Sequence, residues 1–439
     1  REVWRWAVNH AQWTLVENTL VGLFGLYHAV GRYQEAVNIL TTTLVHLRHQ
    51  IQNQLEESNP LKRILAKVLL QKADLGFRLG HTNKAEQLVR EALHLGKQLG
   101  LTDVQAEAYW HLDWIEFRRA HWLTATDKAE KSLQLARRSN YTFLEAHTLN
   151  LLGICWNYRR GHDQARIHLL HGLAIAQQMQ HYTLQSTILI NLGEHHTMTG
   201  EYTQAMRYFQ QAHINATTHL YRENIGVAAY NLAILSQMMG DWTTAEQQFT
   251  KALACLTQIG ETYFVSLIHI YWGNLHCLRG DYEIAIDYCQ RAQQQCQLDG
   301  YQDIELRAWN QLGKTLLGLH RFDEAETAYR QALTLTKQKS GCTDRWLAQA
   351  GLAQLYLNLQ QPKQAAIQLE GLEPFLVSLA LDDPYEQPFS LVWTCYRVFS
   401  ANHDPRAQVI LQRGYHLLME QAAKIDSQAL RRSFLENIP

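Results

Sequence analysis

The sequence predicts an all-α protein, a right-handed solenoid of about ten stacked helix pairs with irregular ends. Two observations predict this fold. An alanine recurs at a strict 40-residue step, and each copy carries two further columns of mostly small residues with apolar residues at helical spacing between them. A single repeat cannot bury its apolar face alone, so the repeats must stack and share a continuous core. The recurring alanines are Ala85, Ala125, Ala165, Ala205, Ala245, Ala285, Ala325 and Ala365.

Each repeat is predicted to be a hairpin of two helices, A and B, joined at a segment such as Gly240-Asp241-Trp242-Thr243-Thr244-Ala245. The glycine ends helix A, the aromatic residue fills the gap between the helices, and the alanine follows at the start of helix B. Small residues let the two helices approach closely, while larger apolar residues fill the grooves. The two further columns are Ala73, Asp113, Gly153, Gly193, Ala233, Gly273, Gly313 and Ala353 in helix A, and Ala92, Ser132, Gly172, Ala212, Ala252, Ala292, Ala332 and Leu372 in helix B.

Three regions are expected along the chain: residues 1–60, 61–380 and 381–439. The first holds atypical helices and a first helix pair, the second holds the regular repeats, and the third holds capping helices. Prolines are absent between positions 61 and 361 and then become frequent, which indicates an irregular terminal cap. The helices expected in the two end regions cover 1–12, 13–30, 33–57, 385–402, 406–422 and a short segment from 426.

The alanine of helix B, the aromatic residue of the turn and the small residue of helix A resemble the signature of the tetratricopeptide family. The resemblance covers nearly the whole chain, in eight copies that keep the same phase. The repeat differs from the usual family pattern in having 40 residues instead of about 34, and in lacking the proline that commonly closes each repeat. This longer form is similar to the sensor arrays of bacterial STAND-type signal-transduction ATPases, of the maltotriose-activator type. It is also similar to scaffold proteins that bind extended peptides.

The resemblance implies two hypotheses for function. In the first, the chain is the sensor domain of a signal-transduction ATPase, and a protein, peptide or small-molecule effector binds in its concave groove. The chain starts at Arg1 without a methionine, so we expect a piece of a longer protein, with the nucleotide-binding domain missing and an oligomer formed only in the full-length context. In the second, the chain is a stand-alone adaptor that binds an extended peptide of a partner protein.

Composition narrows the expected partners. The 40 lysines and arginines balance the 41 aspartates and glutamates, so no basic surface for nucleic acid is expected. No apolar run is long enough for a membrane span and no signal peptide is visible, so we expect a cytoplasmic protein. The seven cysteines lack paired spacing, which favours free, buried thiols in a reducing compartment.

We expect this chain to have no catalytic centre, no cofactor and no metal site. Residues 308–315 match a relaxed phosphate-loop pattern, but they lie within a predicted helix A, whose backbone N–H groups are already hydrogen-bonded. The 22 histidines include neighbours such as His195-His196, yet none has the spacing of a zinc site. Polar histidines on the surface or in the groove are the expected alternative.

Helix A lines the concave surface in tetratricopeptide arrays, so the resemblance implies that open positions of helix A form the binding groove. The early repeats would present aromatic residues, and the later repeats would present amides with a cationic end. A row of amides can hold a peptide backbone, whereas aromatic residues at this spacing can equally serve helix packing. The expected groove residues are Trp110, Trp114, Asn150, Asn157, Asn191, Glu194, Tyr230, Asn231, Gln237, Asn274, Arg307, Asn310 and Lys314.

The cationic end of this groove carries the most specific expectation. Arg307 and Lys314 are seven residues apart and share one helix face, where together they can meet a carboxylate or a phosphate. In chaperone-binding members of the tetratricopeptide family, Asn and Lys at comparable helix A positions hold a terminal carboxylate. Asn274 with Lys314 is the nearest equivalent in this sequence.

Overall fold

The computed structural model describes residues 1–29, 32–53, 59–79, 81–119, 121–336, 343–379 and 388–437. All regular secondary structure in these residues is helical, and consecutive helices pack as antiparallel pairs, which confirms the predicted all-α stack of hairpins. The chain forms two compact units, Arg1–Asn191 and Leu192–Pro439.

The first unit contains α1 (Glu2–Asn9), α2 (Trp13–Ala29), α3 (Tyr33–Asn53), α4 (Asn59–Arg78), α5 (Thr82–Gln98), α6 (Thr102–Arg118), α7 (Trp122–Arg138), α8 (Thr142–Tyr158) and α9 (His162–Gln178). The boundary between the units falls within α10 (Tyr182–Met198). The second unit contains α11 (Tyr202–Thr218), α12 (Arg222–Met238), α13 (Trp242–Gln258), α14 (Thr262–Arg279), α15 (Tyr282–Asp299), α16 (Gln302–Gly318), α17 (Phe322–Leu335), α18 (Thr343–Asn358), α19 (Pro362–Gln368), α20 (Glu373–Ser378), α21 (Phe389–Ala401), α22 (Arg406–Ala423) and α23 (Gln428–Glu436).

The turns between regular helices repeat one backbone conformation. The helices from α5 to α13 have 17 residues each and are separated by three-residue turns, so a turn recurs every 20 residues. One residue of each described turn has a positive φ, and the next N–H donates to a carbonyl five residues earlier, as from Leu101 to Gly96 at 2.8 Å. This closure satisfies the last carbonyls of the preceding helix. Glycine occupies the left-handed position in some turns, as predicted, but Asn140, Arg160 and Leu220 occupy it in others.

The alanine column lies at the centre of the hairpins. All eight recurring alanines are buried, with at most 1% of their surface exposed. The helix A column is packed as tightly: a Cβ added to Gly153 would lie 2.7 Å from Cδ2 of Leu169, and one added to Gly313 would lie 2.7 Å from Cε1 of Tyr329. Close helix contact at small residues, with large apolar side chains filling the grooves, is therefore present as the sequence predicted.

The N-terminal helices are joined to the first regular repeat by one core. The Trp4 indole donates a hydrogen bond to Oγ1 of Thr43 at 3.1 Å, and the Trp13 indole donates to Oε1 of Gln50 at 2.7 Å. Pro60 lies in the first turn of α4, where a missing N–H costs no helical hydrogen bond. The helix α3, expected to run to residue 57, ends at Asn53, and residues 54–58 lie outside the described part.

The C-terminal helices α21, α22 and α23 occupy the positions expected for them, although residues 385–387 and the proposed boundary at 380–381 lie outside the described residues. Within the second unit, α22 and α23 return to the turns that precede α11 and α13, where Lys424 and Asn437 donate hydrogen bonds to backbone carbonyls. The repeat pattern does not predict these contacts, since they join segments about 200 residues apart and outside the repeat period.

Other expectations concern single segments. Residues 308–315 lie in the interior of α16, as predicted, so they form helix and no phosphate-binding loop. The six described cysteines are free, and all but Cys255 are buried, while Cys342 lies outside the described residues. No described helix is both long enough and apolar enough to cross a lipid bilayer.

Candidate functional site

Three consecutive A helices of the second unit, α14, α16 and α18, together with α21, surround a pocket of about 140 Å³. Their spacing follows from the repeat, because residues 40 positions apart occupy the same place on neighbouring A helices. Four expected groove residues meet here. The polar side chains around the pocket are those of Tyr271, Asn274, Arg307, Asn310, Gln311, Lys314, Asp344, Gln354, Ser390 and Thr394.

Lys314 and Asn274 form a pair at the rim of the pocket. The ammonium group of Lys314 donates a hydrogen bond to Oδ1 of Asn274 at 2.9 Å. Lys314 is exposed, and in the described part of the chain no carboxylate lies within ion-pair distance of it. Its charge is therefore positioned by a neutral amide and left available to an anion.

Arg307 is held more firmly. Its guanidinium donates to the hydroxyl of the buried Tyr271 at 3.3 Å, and its Nε lies 3.7 Å from a carboxylate oxygen of Asp344. The aromatic hydroxyl and the carboxylate fix the planar guanidinium from two neighbouring helices. Since Asp344 offsets the charge of Arg307, Lys314 is left as the cation without a carboxylate partner among the described residues that line this pocket.

Asn310 carries an unused acceptor. Its side chain is only 8% exposed, and its Nδ2 donates to the backbone carbonyl of Asp344 at 2.8 Å. That bond fixes which end of the amide is the donor, because a carbonyl can only accept. Oδ1 of Asn310 is then buried without a hydrogen-bond partner among the described residues. A buried acceptor of this kind costs free energy unless a ligand or water donates to it.

The floor and the far wall of the pocket are apolar or neutral. Tyr329 lies beneath the pocket between Gly313 and Gly351, and burial raises the pKa of its hydroxyl, which keeps it uncharged. The far wall is the first turn of α21, where Ser390 and Leu391 line the pocket. Among the described lining residues, Asp344 is the one carboxylate that a small polar group would meet beside Lys314 and Asn310.

The remaining expected groove residues of the second unit do not lie open. Tyr230, Asn231 and Gln237 belong to α12, of whose 17 residues 14 are buried, and Asn231 has no exposed surface. The Tyr230 ring packs against Phe264 at 5.7 Å and against Tyr271 at 6.0 Å, so aromatic side chains of α14 cover this part of α12. Glu194 is half-buried on α10. The open row of amides expected here is therefore a set of buried side chains.

In the first unit, two of the three expected amides contact each other. Nδ2 of Asn191 donates to Oδ1 of Asn150 at 2.7 Å, across neighbouring A helices. Asn150 is 5% exposed and Asn157 is 3% exposed, so only Asn191 of the three presents a partly open side chain.

The aromatic residues of the first unit take part in helix packing. The Trp114 ring contacts Phe117 at 5.7 Å, and that ring contacts Trp122 of the next helix at 5.0 Å. Trp122 in turn stacks on Tyr158 at 4.6 Å, which links α6, α7 and α8. Trp110 lies 5.8 Å from the His147 ring, and its indole nitrogen is buried without a hydrogen-bond partner among the described residues. The contacts of Trp114 therefore agree with a role in helix packing, the alternative to ligand binding that its spacing allowed.

Several pocket residues were missed by the sequence analysis. Tyr271 lies two residues before the small column, a position that the expected groove pattern did not include. Asp344 is the second residue of α18, and Ser390 and Thr394 belong to α21, which does not follow the 40-residue period. The one sequence feature that could have indicated this pocket is the aromatic residue Tyr271, two positions before the small residue Gly273 on α14.

In the part of the chain that the structure describes, no group of three His, Cys, Asp or Glu residues could hold a metal ion. Burial lowers the pKa of both His147 and His269 to about 4, and the neighbouring Arg291 lowers that of His269 further. These two imidazoles are therefore neutral at physiological pH.

The repeat is recognised by comparison with known proteins. Residues 182–259 and 264–338, about a third of the chain, match the family model described as Tetratricopeptide repeat. No curated protein matches the sequence.

Several solved structures have a similar fold. A Rap protein complexed with Competence and Sporulation Factor is 13% identical, with a TM-score of 0.55 over 84% of this chain and 100% of that chain. The apo form of the quorum sensor NprR from B. thuringiensis is 15% identical, with a TM-score of 0.51 over 76% of this chain and 97% of that one. The Rap conjugation gene regulator of the plasmid pLS20, in complex with the Phr* peptide, is 14% identical, with a TM-score of 0.50 over 71% of this chain and 97% of that one.

Identities of this size show a shared fold and nothing more specific. Together with the buried alanine column and the repeated hairpins, they show a solenoid of tetratricopeptide-like helix hairpins, in which residues 182–259 and 264–338 match the tetratricopeptide repeat itself.

Proposed function

We propose that the chain is a peptide-binding module whose second unit holds the carboxyl-terminal end of an extended peptide in the pocket between α14, α16, α18 and α21. The observation that carries this proposal is the pairing of an uncompensated cation, Lys314, with the buried, unused acceptor of Asn310.

The chemistry of a peptide terminus matches both groups. A terminal carboxylate satisfies the ammonium group of Lys314 and leaves Asn274 to donate its Nδ2 to the same group. The backbone N–H of the last residue supplies the donor that Oδ1 of Asn310 lacks. A free inorganic anion offers the negative charge but no N–H, so it satisfies only half of the site.

The similar structures support a peptide as the ligand. One is the complex of a Rap protein with Competence and Sporulation Factor, and another is a Rap regulator in complex with the Phr* peptide. Those partners belong to those proteins. They favour the second hypothesis, an adaptor or regulator that binds a peptide, over the first hypothesis, the sensor of a signal-transduction ATPase.

A synthetic library of peptides with free carboxyl termini provides the probe, and fluorescence anisotropy of the best binder provides the measurement. Lys314→Met removes the cation, so we expect its affinity to fall at least about tenfold, or about 1.4 kcal/mol. Amidation of the peptide terminus should produce a loss of the same size in the wild-type protein.

Lys251→Met is the matched control, because Lys251 is an exposed lysine on α13, outside the pocket. Its affinity should equal that of the wild type. Wild-type affinity in the Lys314 variant, or equal binding of the amidated peptide, would show that the pocket does not hold a terminal carboxylate.

The sensor hypothesis is a second proposal, favoured by the 40-residue period. It requires a phosphate-loop domain in the same gene product, so the gene sequence upstream of Arg1 tests it directly. In both proposals the array binds and does not catalyse. The absence of catalysis stays a prediction, and turnover that survives mutation of all the polar groove residues would contradict it.

A further inference from the structure

Two turns of the second unit are covered by the C-terminal end of the same unit. Gly200 and Gly240 both have a positive φ, near +72° and +74°. A Cβ on Gly200 would lie 3.1 Å from Cγ of Gln421, and one on Gly240 would lie 2.7 Å from the backbone oxygen of Ser433. The equivalent Gly260, with φ of +71°, has no atom within 4 Å of that position. The close approach is therefore specific to the two covered turns.

The end of α22 holds the turn at Gly200. The hydroxyl of Tyr202 donates to Oε1 of Gln421 at 3.1 Å, and the ammonium group of Lys424 donates to the carbonyl of Thr199 at 3.3 Å. The backbone N–H of Asp426 donates to Oγ1 of Thr203 at 3.2 Å. The segment that leads into α23 is thus fixed by side-chain and backbone hydrogen bonds.

The helix α23 has fewer contacts with the rest of the second unit than the end of α22 has. Phe434 is the one buried residue among its nine, and only 1% of its surface is exposed. Beyond α23, Nδ2 of Asn437 donates to the carbonyl of Gly240 at 3.2 Å. A helix of nine residues is too short to be stable in water by itself, so α23 exists as a helix only while it is docked.

Phe434 also connects this segment to the pocket. Its ring lies 5.8 Å from the ring of Tyr202 and 6.2 Å from the ring of Phe389. Phe389 is the first residue of α21 and directly precedes Ser390 and Leu391, which form the far wall of the pocket. One buried ring therefore touches both the covered turn and the start of the pocket wall.

We propose that residues 428–437 form a C-terminal latch that regulates the peptide pocket by holding α21 in place. When the latch is docked, Phe434 fixes the first turn of α21, and when the latch is released, that turn loses its support. Ligand binding and latch docking are then coupled in both directions, since a pocket that needs the wall in place favours the docked state. This inference rests on the proposed function for the identity of the pocket, while the latch itself is observable without any ligand.

Gly240→Ala tests the latch, with Gly260→Ala as its matched control. Both substitutions place an alanine at nearly the same positive φ, so both carry the same backbone strain, but only the first adds a Cβ against Ser433. The measurement is hydrogen exchange of the backbone amides in the full chain without peptide. In Gly240→Ala we expect exchange at least tenfold faster in residues 428–436 and also faster in residues 389–401, and wild-type rates in Gly260→Ala.

Each outcome of this experiment supports or overturns either the latch or its effect on the pocket wall. Unchanged exchange in 428–436 of Gly240→Ala, or equal acceleration in Gly260→Ala, overturns the latch. Release of 428–436 with wild-type exchange in 389–401 overturns its effect on the pocket wall. Phe434→Ala serves as a second variant should Gly240→Ala fail to fold, and it should accelerate the same two segments. If no peptide of the library binds the wild type, the proposed function fails while these exchange rates still judge the latch.

Discussion

Asp113 is a charged-type residue at a position where the other repeats carry alanine or glycine. It occupies the small column of helix A, has no exposed surface, and its Oδ1 lies 3.6 Å from the thiol sulfur of Cys155. Its Oδ2 is buried without a hydrogen-bond partner among the described residues. Burial raises the pKa of this carboxyl well above its ordinary value, so the folded protein holds the neutral acid.

Asp113→Ala should stabilise the first unit at neutral pH, because alanine is the small residue that other repeats carry in this column. We expect the free energy of unfolding at pH 7 to rise by about 1–3 kcal/mol, the usual cost of burying an unpartnered polar group. The raised pKa gives the pH dependence its sign. The folded state binds a proton that the unfolded state has lost above about pH 4, so the wild type loses stability as pH rises.

Denaturant titrations between pH 4 and pH 8 provide the measurement. The advantage of Asp113→Ala should be smallest near pH 4 and should grow towards pH 8. Asp127→Ala, at an exposed site on α7, is the control and should match the wild type throughout. An advantage that does not change with pH would contradict a protonated Asp113.

The 40-residue period allows some contacts between residues to be predicted from the sequence, and others not. Asn274 and Lys314 are 40 residues apart and hydrogen-bond each other, as do Tyr263 and Asp303, because the same position recurs on the next A helix. Such pairs can be predicted from the sequence by pairing positions that are 40 residues apart. The contact of Arg307 with Asp344 cannot, since the two residues are 37 positions apart and so do not occupy the same place in the repeat.

At the scale of the elements, the glycines of helix A control how closely paired helices pack. An added Cβ at Gly153 would lie 2.7 Å from Cδ2 of Leu169 and 3.1 Å from the carbonyl oxygen of Ala165. At Gly76, also in a helix of the first unit, it would lie 3.6 Å from Cβ of Ala85, an ordinary contact. The same substitution should therefore have opposite effects at the two positions.

Gly153→Ala should lower the free energy of unfolding by about 1–2 kcal/mol, because overpacking outweighs the gain in helix propensity. Gly76→Ala should raise it by about 0.5–1 kcal/mol, because only the propensity term remains. Both values come from denaturant titration of the purified variants. If Gly153→Ala were as stable as Gly76→Ala, the close approach of α8 to α9 would not be a constraint.

The turns show why element boundaries were only partly visible in the sequence. Glycine marks the left-handed position at 240, 260 and 280, but leucine, arginine and asparagine take the same backbone conformation elsewhere. The hydrogen bonds of the turn are made by backbone groups, so the spacing of the helices can impose this conformation on residues that pay a strain cost for it. The glycines alone would have located about half of these turns.

On the scale of the whole molecule, neutral and partly buried histidines contribute to the response to acid. His147 in the first unit and His269 in the second both have a pKa lowered to about 4 by burial. The unfolded chain protonates both near pH 6.5, so it binds more protons than the folded chain between pH 6.5 and pH 4. The free energy of unfolding should therefore fall as the pH is lowered through this range.

Each of the two histidines should contribute about 1–3 kcal/mol of this loss by pH 4. His269→Phe should make the second unit less sensitive to acid, measured by hydrogen exchange of its core amides at pH 7 and pH 5. His46→Gln, at an exposed position on α3, is the control. Equal acid sensitivity in His269→Phe and the wild type would contradict the assignment.

The equal length of helices and turns has a consequence for how such a protein changes in evolution or by engineering. One residue inserted within a 17-residue helix rotates every later side chain of that helix by about 100°. An insertion before the recurring alanine of helix B would therefore turn that alanine away from the helix contact at the centre of the hairpin. The described three-residue turns between α5 and α13 have no spare residue to absorb this shift. The array can gain or lose length only in whole hairpins, so viable relatives should differ by multiples of 40 residues, as in tandem duplication of a gene segment.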